Sequence, residues 1–240
     1  MTADRWTTAV RQQLGLGRLL PLGGPRDGAW IAENAAEGVL RRAVREVPGV
    51  RLGPLRLAPA DPEGAGEAVV PPPPSGLPPG PLRVTADFAA TASQPLPATA
   101  SRLRTVLATA AAERLGLVVA QVDLRVTALL DEEPGDEPEK VRPPQLSEAA
   151  REGDEARAAE AALSVPGVAG LTDVLGRAVR VEERQGAAAA VAALPRLHAR
   201  VEIAVSADRR ALDVAREVRG AVAAALRDQP TVAVLVTAVG

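Results

Sequence analysis

The chain has 240 residues, 47% of them hydrophobic and 1% aromatic, and its formal net charge is −2. This apolar fraction is typical of a folded globular protein, while the weak charge and scarce aromatic side chains argue against nucleic-acid binding. Because the chain contains no cysteine, disulfides, thiolate metal sites and cysteine nucleophiles are excluded.

The first segment, residues 1–28, is predicted to be an amphipathic helix followed by a loop. Apolar residues spaced by four predict a helix over residues 4–14, with one face formed by Trp6, Val10 and Leu14. The glycines and prolines that follow predict a loop. The Trp6 face is a candidate surface for binding a protein partner or a membrane; the alternative is that it packs against the protein itself.

A first α+β repeat is predicted over residues 29–130, beginning with a helix at about 29–46 that Pro48 and Gly49 terminate. Three arginines lie off the apolar stripe of this helix, namely Arg41, Arg42 and Arg45. They are a candidate contact for an acidic partner, with a solvated helix face as the alternative.

The remainder of this repeat is predicted to contain three strands and a helix. The strands are expected at 51–57, 82–90 and 121–128, and the helix at about 98–115, ending at Gly116. The strand–helix–strand order predicts a parallel pair. Residues 58–81 are rich in proline and glycine, so we expect an exposed polyproline-type insertion without packed structure.

An acidic, proline-containing linker over residues 131–146 is the predicted domain boundary, and a second α+β repeat follows over 147–240. Its predicted elements are a helix at about 147–163, a strand near 174–182, an alanine-rich connection over 183–196, a strand at 198–206, a helix at about 209–227 and a strand at 230–239. The last strand has apolar residues on both faces, so it is expected to be buried on both sides.

The two halves repeat the same local sequence signals. Val-Pro-Gly-Val occurs at 47–50 and at 165–168, each time between a predicted helix and a predicted strand. Both closing strands contain Val-Thr-Ala, at 126–128 and 236–238. The sequence therefore predicts two tandem small α+β domains, each a short mixed sheet with helices packed on one face.

The order of these elements also carries a family resemblance. The segments that carry it are residues 31–32, 46–50, 115–117 and 122–126 in the first copy, and 165–168, 214–219 and 232–239 in the second. In these segments the chain resembles the alkaline-shock-protein family of bacterial envelope stress proteins. The aromatic–glycine pair usual after the family's alternating strand is replaced here, by residues 91–93 and 207–208, and the insertion at 58–81 is a further departure. The resemblance implies a non-enzymatic cytoplasmic protein, often held at the membrane by a small membrane-anchored partner.

No catalytic, cofactor or metal site is predicted. His198 is the single histidine, and without a paired nucleophile or ligand set it is expected to be structural. The acidic run at 132–137 lacks the ordered ligand spacing of a calcium loop, and the glycines at 15–24 lack the Gly-Lys-Ser/Thr of a phosphate loop.

We therefore expect a non-catalytic envelope-stress or scaffold protein that acts through protein–protein contacts. It is expected in the cytoplasm, because no stretch approaches the roughly 18 apolar residues of a membrane-spanning helix and the N-terminus lacks the layout of a secretory signal. The expected partner is a protein, either a small membrane-anchored one that would tether it to the membrane or a paralogue. The alternative function is a small-molecule-sensing regulatory module, because the helix–strand–strand–helix–strand order also resembles ferredoxin-like regulatory domains.

Overall fold

The computed structural model describes residues 17–64, 66–132, 145–147, 152–184, 196–228 and 230–240. Within these ranges the protein has four α-helices and two β-sheets, one of six strands and one of three, which confirms the predicted α+β class. The predicted helix at 4–14, most of the acidic linker and most of the connection at 183–196 lie outside the described residues.

The elements follow one another in the order β1 (Leu19–Leu22), β2 (Ala29–Ala32), α1 (Glu33–Val44), β3 (Val50–Pro59), β4 (Leu82–Thr91), α2 (Leu96–Thr109), β5 (Val119–Leu130), α3 (Gly153–Leu163), β6 (Val168–Leu171), β7 (Val179–Arg184), β8 (Arg196–Val205), α4 (Ala211–Ala225) and β9 (Thr231–Val239). A π-helical turn, Ala110–Leu115, continues α2 to Gly116. The φ of 90° at Gly116 confirms this residue as the left-handed end of the helix.

The three-stranded sheet has the order β3-β4-β5. β3 is antiparallel to β4 and β4 is parallel to β5, so the predicted parallel pair is confirmed. Side chains alternate along β4, with Val84, Ala86 and Phe88 buried on the side that α2 covers. From α2, the fully buried Leu103 and Leu107 join the same core.

The six-stranded sheet has the order β1-β2-β9-β8-β6, and β7 also pairs with β8. β9 lies at its centre, parallel to both β2 and β8. From Val232 to Val236 its side chains are at most 1% exposed, which confirms the predicted burial on both sides. The core is continuous between the two sheets, since α1 contacts strands of both, β9 and β3.

β1 and β2 correct two predictions. Residues 19–22 form a strand where the sequence predicts a loop, and residues 29–32 form a strand where it predicts the start of a helix. All eight residues are buried, and an apolar run of four is too short to show whether its period is that of a helix or a strand. Pro21 is tolerated because β1 is an edge strand. The strand predicted near 174–182 forms in part, as β7 from Val179 onward, and the short strand β6 that precedes it is not predicted from the sequence. β6 and β7 pair with the same edge of β8.

The proline-rich insertion is packed in part, which corrects the prediction of a segment without packed structure. Residues 61–64 are exposed as predicted, whereas Val70, Pro73 and Pro79 are buried. The indole N–H of Trp30 donates a 3.0 Å hydrogen bond to the carbonyl of Leu77, and the N–H of Leu77 donates to the carbonyl of Leu19 at 2.9 Å. Val70 is buried in a small apolar cluster with Trp30 and Leu235. The insertion covers the outer face of β2 and β9 because that face is apolar and gains from removal of its surface from water.

The two Val-Pro-Gly-Val turns have the same geometry. Gly49 and Gly167 both have a positive φ, of 70° and 93°. The carbonyl of each accepts a 2.9 Å hydrogen bond from the end of a neighbouring strand, from the N–H of Thr91 and of Ser206 respectively. The turns are therefore equivalent in structure as well as in sequence, while the predicted domain boundaries stay a prediction.

Candidate functional site

A pocket of about 230 Å³ lies on the outer face of the six-stranded sheet, between β7, β8 and the insertion. Its floor is charged, its roof is apolar, and its lining residues are Arg180, Glu182 and Arg184 of β7, His198 and Arg200 of β8, and Pro72, Pro73 and Pro74 of the insertion. The antiparallel register brings the two strands' polar residues together, since it sets Arg180 opposite Arg200 and Glu182 opposite His198.

The alternation of β8 explains why charged residues are buried here. Ala199, Val201 and Ile203 point to the helix side and belong to the main core. The residues between them must therefore lie on the outer face. His198, Arg200 and Glu202 are nevertheless buried, because the insertion and the loop before β7 contact that face.

Arg200 and Glu202 form a buried ion pair that leaves hydrogen-bonding capacity unused. Arg200 is 9% exposed, Glu202 is 0% exposed, and Arg200 Nη2 lies 3.4 Å from Glu202 Oε1. The other carboxylate oxygen accepts a 3.0 Å hydrogen bond from the N–H of Leu175. Among the described residues, Arg200 Nε and Glu202 Oε1 have no hydrogen-bond partner. Such a buried polar group costs free energy until a partner reaches it.

Burial raises the pKa of Glu202 to about 7, although the Leu175 N–H and the Arg200 guanidinium both oppose the rise. At neutral pH the carboxyl is therefore protonated in a substantial fraction of molecules. In that fraction the charge of Arg200 is not neutralised by Glu202.

The β7 side of the pocket adds positive charge. Glu182 accepts a 2.8 Å hydrogen bond from Arg180 Nε, and its other oxygen lies 3.1 Å from Arg184 Nε. The two arginine side chains are 56% and 45% exposed, and their terminal nitrogens are not engaged in these contacts. The lining thus has three guanidinium groups against one carboxylate, and the charge stays positive when the Glu202 carboxylate beside Arg200 is counted as well, which favours an anionic guest.

His198 lies between these charges as a neutral imidazole. Its Nδ1 is 2.8 Å from the hydroxyl oxygen of Thr231. Burial lowers the pKa of His198 to about 4, with the positive charge of Arg184 adding to the effect and the carboxylate of Glu182 opposing it. His198 therefore has a structural bond and lines the pocket, but no hydroxyl or thiol is present among the lining residues for it to activate.

The predicted basic face of α1 makes contacts within the protein. Arg41 forms an ion pair with Glu37 at 2.7 Å and donates a 2.9 Å hydrogen bond to the carbonyl of Gly53. Arg42 donates a 2.8 Å hydrogen bond to the carbonyl of Val239, so these two arginines tie α1 to both sheets. Arg45 is exposed. A role of this face in partner binding stays a prediction, as does that of Trp6, Val10 and Leu14, which lie outside the described residues.

The outer face of the three-stranded sheet carries a second, more open groove, of about 490 Å³. Its two carboxylates are already paired with arginines, and its remaining charged lining residue, Arg56, is exposed. Arg125 makes two hydrogen bonds to Asp87, and Arg83 Nε lies 3.6 Å from a carboxylate oxygen of Asp123. This groove therefore offers a guest less unsatisfied charge than the Arg200 pocket.

The described residues contain no group of three or more His, Cys, Asp or Glu side chains placed to hold a metal ion, and none of their helices is long and apolar enough to cross a membrane. A scan against protein-family models finds no match, and a search of curated proteins finds none either.

Proposed function

We propose that this protein is a non-catalytic binding module whose Arg200 pocket takes up a small anion with a phosphate or carboxylate group. The observation that carries the proposal is the Arg200 side chain, which lines the pocket, is nine-tenths buried and has an ion pair with Glu202 alone among the described residues. A guanidinium group binds such oxyanions through two parallel N–H···O hydrogen bonds. The anion would supply the missing acceptor and a counter-charge.

The size and the walls of the pocket support a small guest. Its volume of about 230 Å³ is below the range of roughly 300–1,000 Å³ that is usual for drug-sized ligands. The prolines of the roof have no N–H groups, so the charged floor is the side that recognises the guest. Arg180 and Arg184 at the mouth would add further charge-assisted hydrogen bonds.

Binding would join two parts of the fold, because the floor belongs to the sheet and the roof to the insertion. A guest that contacts both would resist local opening of the insertion and raise the melting temperature of the protein. This property is what a regulatory module needs in order to convert the concentration of a small molecule into a change at its surface.

The experiment is a melting-temperature titration with sulfate, inorganic phosphate and citrate at constant ionic strength. We expect a saturable rise for at least one anion in the wild type, and its loss in the double variant Arg180→Gln/Arg184→Gln and in Arg200→Gln. Arg51→Gln is the matched control, since Arg51 is an exposed arginine on β3 of the other sheet. Equal rises in all variants, or none in the wild type, would refute the proposal.

A second function, a scaffold that acts through protein contacts, is favoured by the exposed apolar residues of β5. Leu129 is 61% exposed and Val126 is 41% exposed on the edge strand of the three-stranded sheet. In this proposal, which follows the resemblance to the alkaline-shock-protein family, the protein works in the cytoplasm and a small membrane-anchored protein holds it at the envelope. A pull-down from native cells in gentle detergent tests it. A stoichiometric membrane partner lost on deletion of residues 1–16, which precede β1, supports it, and a protein without partners contradicts it.

A further inference from the structure

β5 is a strand of 12 residues at the open edge of the three-stranded sheet. In the part of the chain that the structure describes, it pairs with β4 alone. An unpaired edge exposes backbone N–H and C=O groups to any other strand, and proteins usually protect such edges with lysine or proline. β5 contains neither residue, and the protection that it has is a bulge near each end, where its register against β4 shifts at Ala120 and at Thr127.

The sequence of β5 is complementary to itself when read in the opposite direction. With Leu124 as the centre of an antiparallel pair, Leu124 faces itself, Asp123 faces Arg125, and Val122 faces Val126. The register of β5 against β4 shifts at Ala120 and at Thr127. Counted along the sequence, the outer pairs are glutamine with threonine (121–127), alanine with alanine (120–128) and valine with leucine (119–129). Every pair therefore joins residues of like polarity or of opposite charge.

In this register the core-side faces of the two β5 strands also lie on the same side of the joined sheet. Val122, Leu124 and Val126 are opposite Val84, Ala86 and Phe88 of β4, which lie on the core side. Under a two-fold axis perpendicular to the sheet, the core-side residues of one copy lie beside the core-side residues of the other. The register shifts at Ala120 and Thr127 keep Val119 and Leu129 on the core side as well, opposite Leu82 and Ala90. Val126 and Leu129, which the helices of their own chain leave exposed, would then contact Val122 and Val119 of the second copy.

Charge selects this register over its nearest neighbours. A shift of the axis to Asp123 would place two aspartates opposite each other, and a shift to Arg125 would place two arginines opposite each other; both arrangements are destabilising. With the axis at Leu124, each Asp123 meets an Arg125. Because Arg125 also bonds Asp87 and Asp123 lies near Arg83, the four side chains would alternate in charge across the junction.

We propose that two copies of this protein associate through antiparallel pairing of their β5 strands about a two-fold axis at Leu124. The two three-stranded sheets then form one continuous sheet of six strands, joined by roughly ten backbone hydrogen bonds. The surface is on the other sheet from the Arg200 pocket, so the proposal is independent of anion binding.

The first test uses charge reversal and analytical ultracentrifugation. Asp123→Arg alone places two arginine pairs at the junction, and Arg125→Asp alone places two aspartate pairs there, so each variant should dimerise at least tenfold more weakly than the wild type. An equimolar mixture of the two should recover a heterodimer, in which both junction pairs are again of opposite charge. Arg51→Asp, the same change on the opposite edge strand β3, should leave the dimer unchanged. A monomeric wild type at concentrations up to ~200 μM, or failure of the mixture to recover dimer, overturns the proposal.

The second test does not depend on how the charge variants fold. Because the chain has no cysteine, Leu124→Cys introduces a single thiol at the predicted axis. Directly opposed residues of an antiparallel pair have Cα atoms about 4.5–5.5 Å apart, within the range of a disulfide. Mild oxidation should therefore link Leu124→Cys into covalent dimers, whereas Leu129→Cys, whose predicted neighbour is Val119 of the second copy, should not be linked. Equal linkage of both variants contradicts the predicted register.

Discussion

Glu202 and His198 are predicted to have opposite effects on how the stability of the protein depends on pH. The folded-state pKa of Glu202 is about 7 against an ordinary 4.5, so between these values the native state holds a proton that the unfolded chain has released, and stability falls as pH rises. The folded-state pKa of His198 is about 4 against an ordinary 6.5, so there the unfolded chain holds the extra proton, and stability rises with pH.

For each group the folded-state pKa and the ordinary pKa differ by about 2.5 units, which corresponds to a change in the free energy of unfolding of at most about 3 kcal/mol. Screening by solvent in the pocket reduces this change to roughly 1–3 kcal/mol. In the wild type the two effects largely cancel between pH 4.5 and 6.5. Glu202→Gln removes only the contribution of Glu202, which lowers stability as the pH rises, because glutamine has a similar shape and does not titrate.

The assay is urea unfolding of the wild type and Glu202→Gln at pH 4.5, 5.5, 6.5 and 7.5, with the difference in free energy of unfolding as the readout. The contributions of titrating groups that both proteins share cancel in this difference. We expect it to shift in favour of Glu202→Gln by roughly 1–3 kcal/mol from pH 4.5 to 7.5. The matched control is Glu183→Gln, at an exposed position of β7. Parallel pH profiles of the wild type and Glu202→Gln would refute the buried, proton-holding carboxyl.

Three further predictions concern packing and are checked by urea denaturation. Gly116→Ala should lower the free energy of unfolding by about 2–4 kcal/mol, because the added Cβ would overlap the side chain of Leu212 and because the φ of 90° is unfavourable for alanine. At Gly176 φ is 99° but no atom lies within 4 Å of the added Cβ, so equal losses in Gly116→Ala and Gly176→Ala would contradict the overlap. Gly176→Ala itself should cost only about 1–2 kcal/mol, and a larger loss would mean that the conformation there is more strained than its open surroundings indicate. Trp30→Phe should cost about 1–3 kcal/mol and speed proteolysis within residues 58–81, because the carbonyl of Leu77 loses its indole donor; unchanged proteolysis would show that this bond does not hold the insertion.

The elements that the sequence predicts correctly are those with a long or well-marked local pattern. β9 has apolar residues on both faces over its whole length, and such a strand can be stable only where both sides are covered. The end of the helix at Gly116 follows from a glycine after an apolar periodic run. The parallel pair of β4 and β5 follows from the helix between them.

The pocket could not be predicted because its burial depends on contacts between segments distant in sequence. His198, Arg200 and Glu202 alternate with apolar residues, and that pattern is typical of a strand whose polar face meets solvent. Their face is covered by the proline-rich insertion, more than 100 residues earlier in the chain, and composition alone suggests that such a segment is exposed. One feature of the sequence does indicate the burial of this face. The apolar residues on both faces of β9 require a cover over the outer face of the sheet, and such a cover would extend over the neighbouring strand β8.

The most direct measurement for the anion pocket is an NMR titration of the imidazole of His198 with sulfate and with inorganic phosphate. The chain has a single histidine, so a protein purified without a histidine tag gives one imidazole signal that reports on the pocket. We expect the signal to shift saturably, and the pKa of His198 to rise from about 4, because a bound anion favours the imidazolium form. These changes should be absent in Arg180→Gln/Arg184→Gln. A signal that does not move at up to ~20 mM of either anion, or that moves equally in that variant, would contradict anion binding in the pocket.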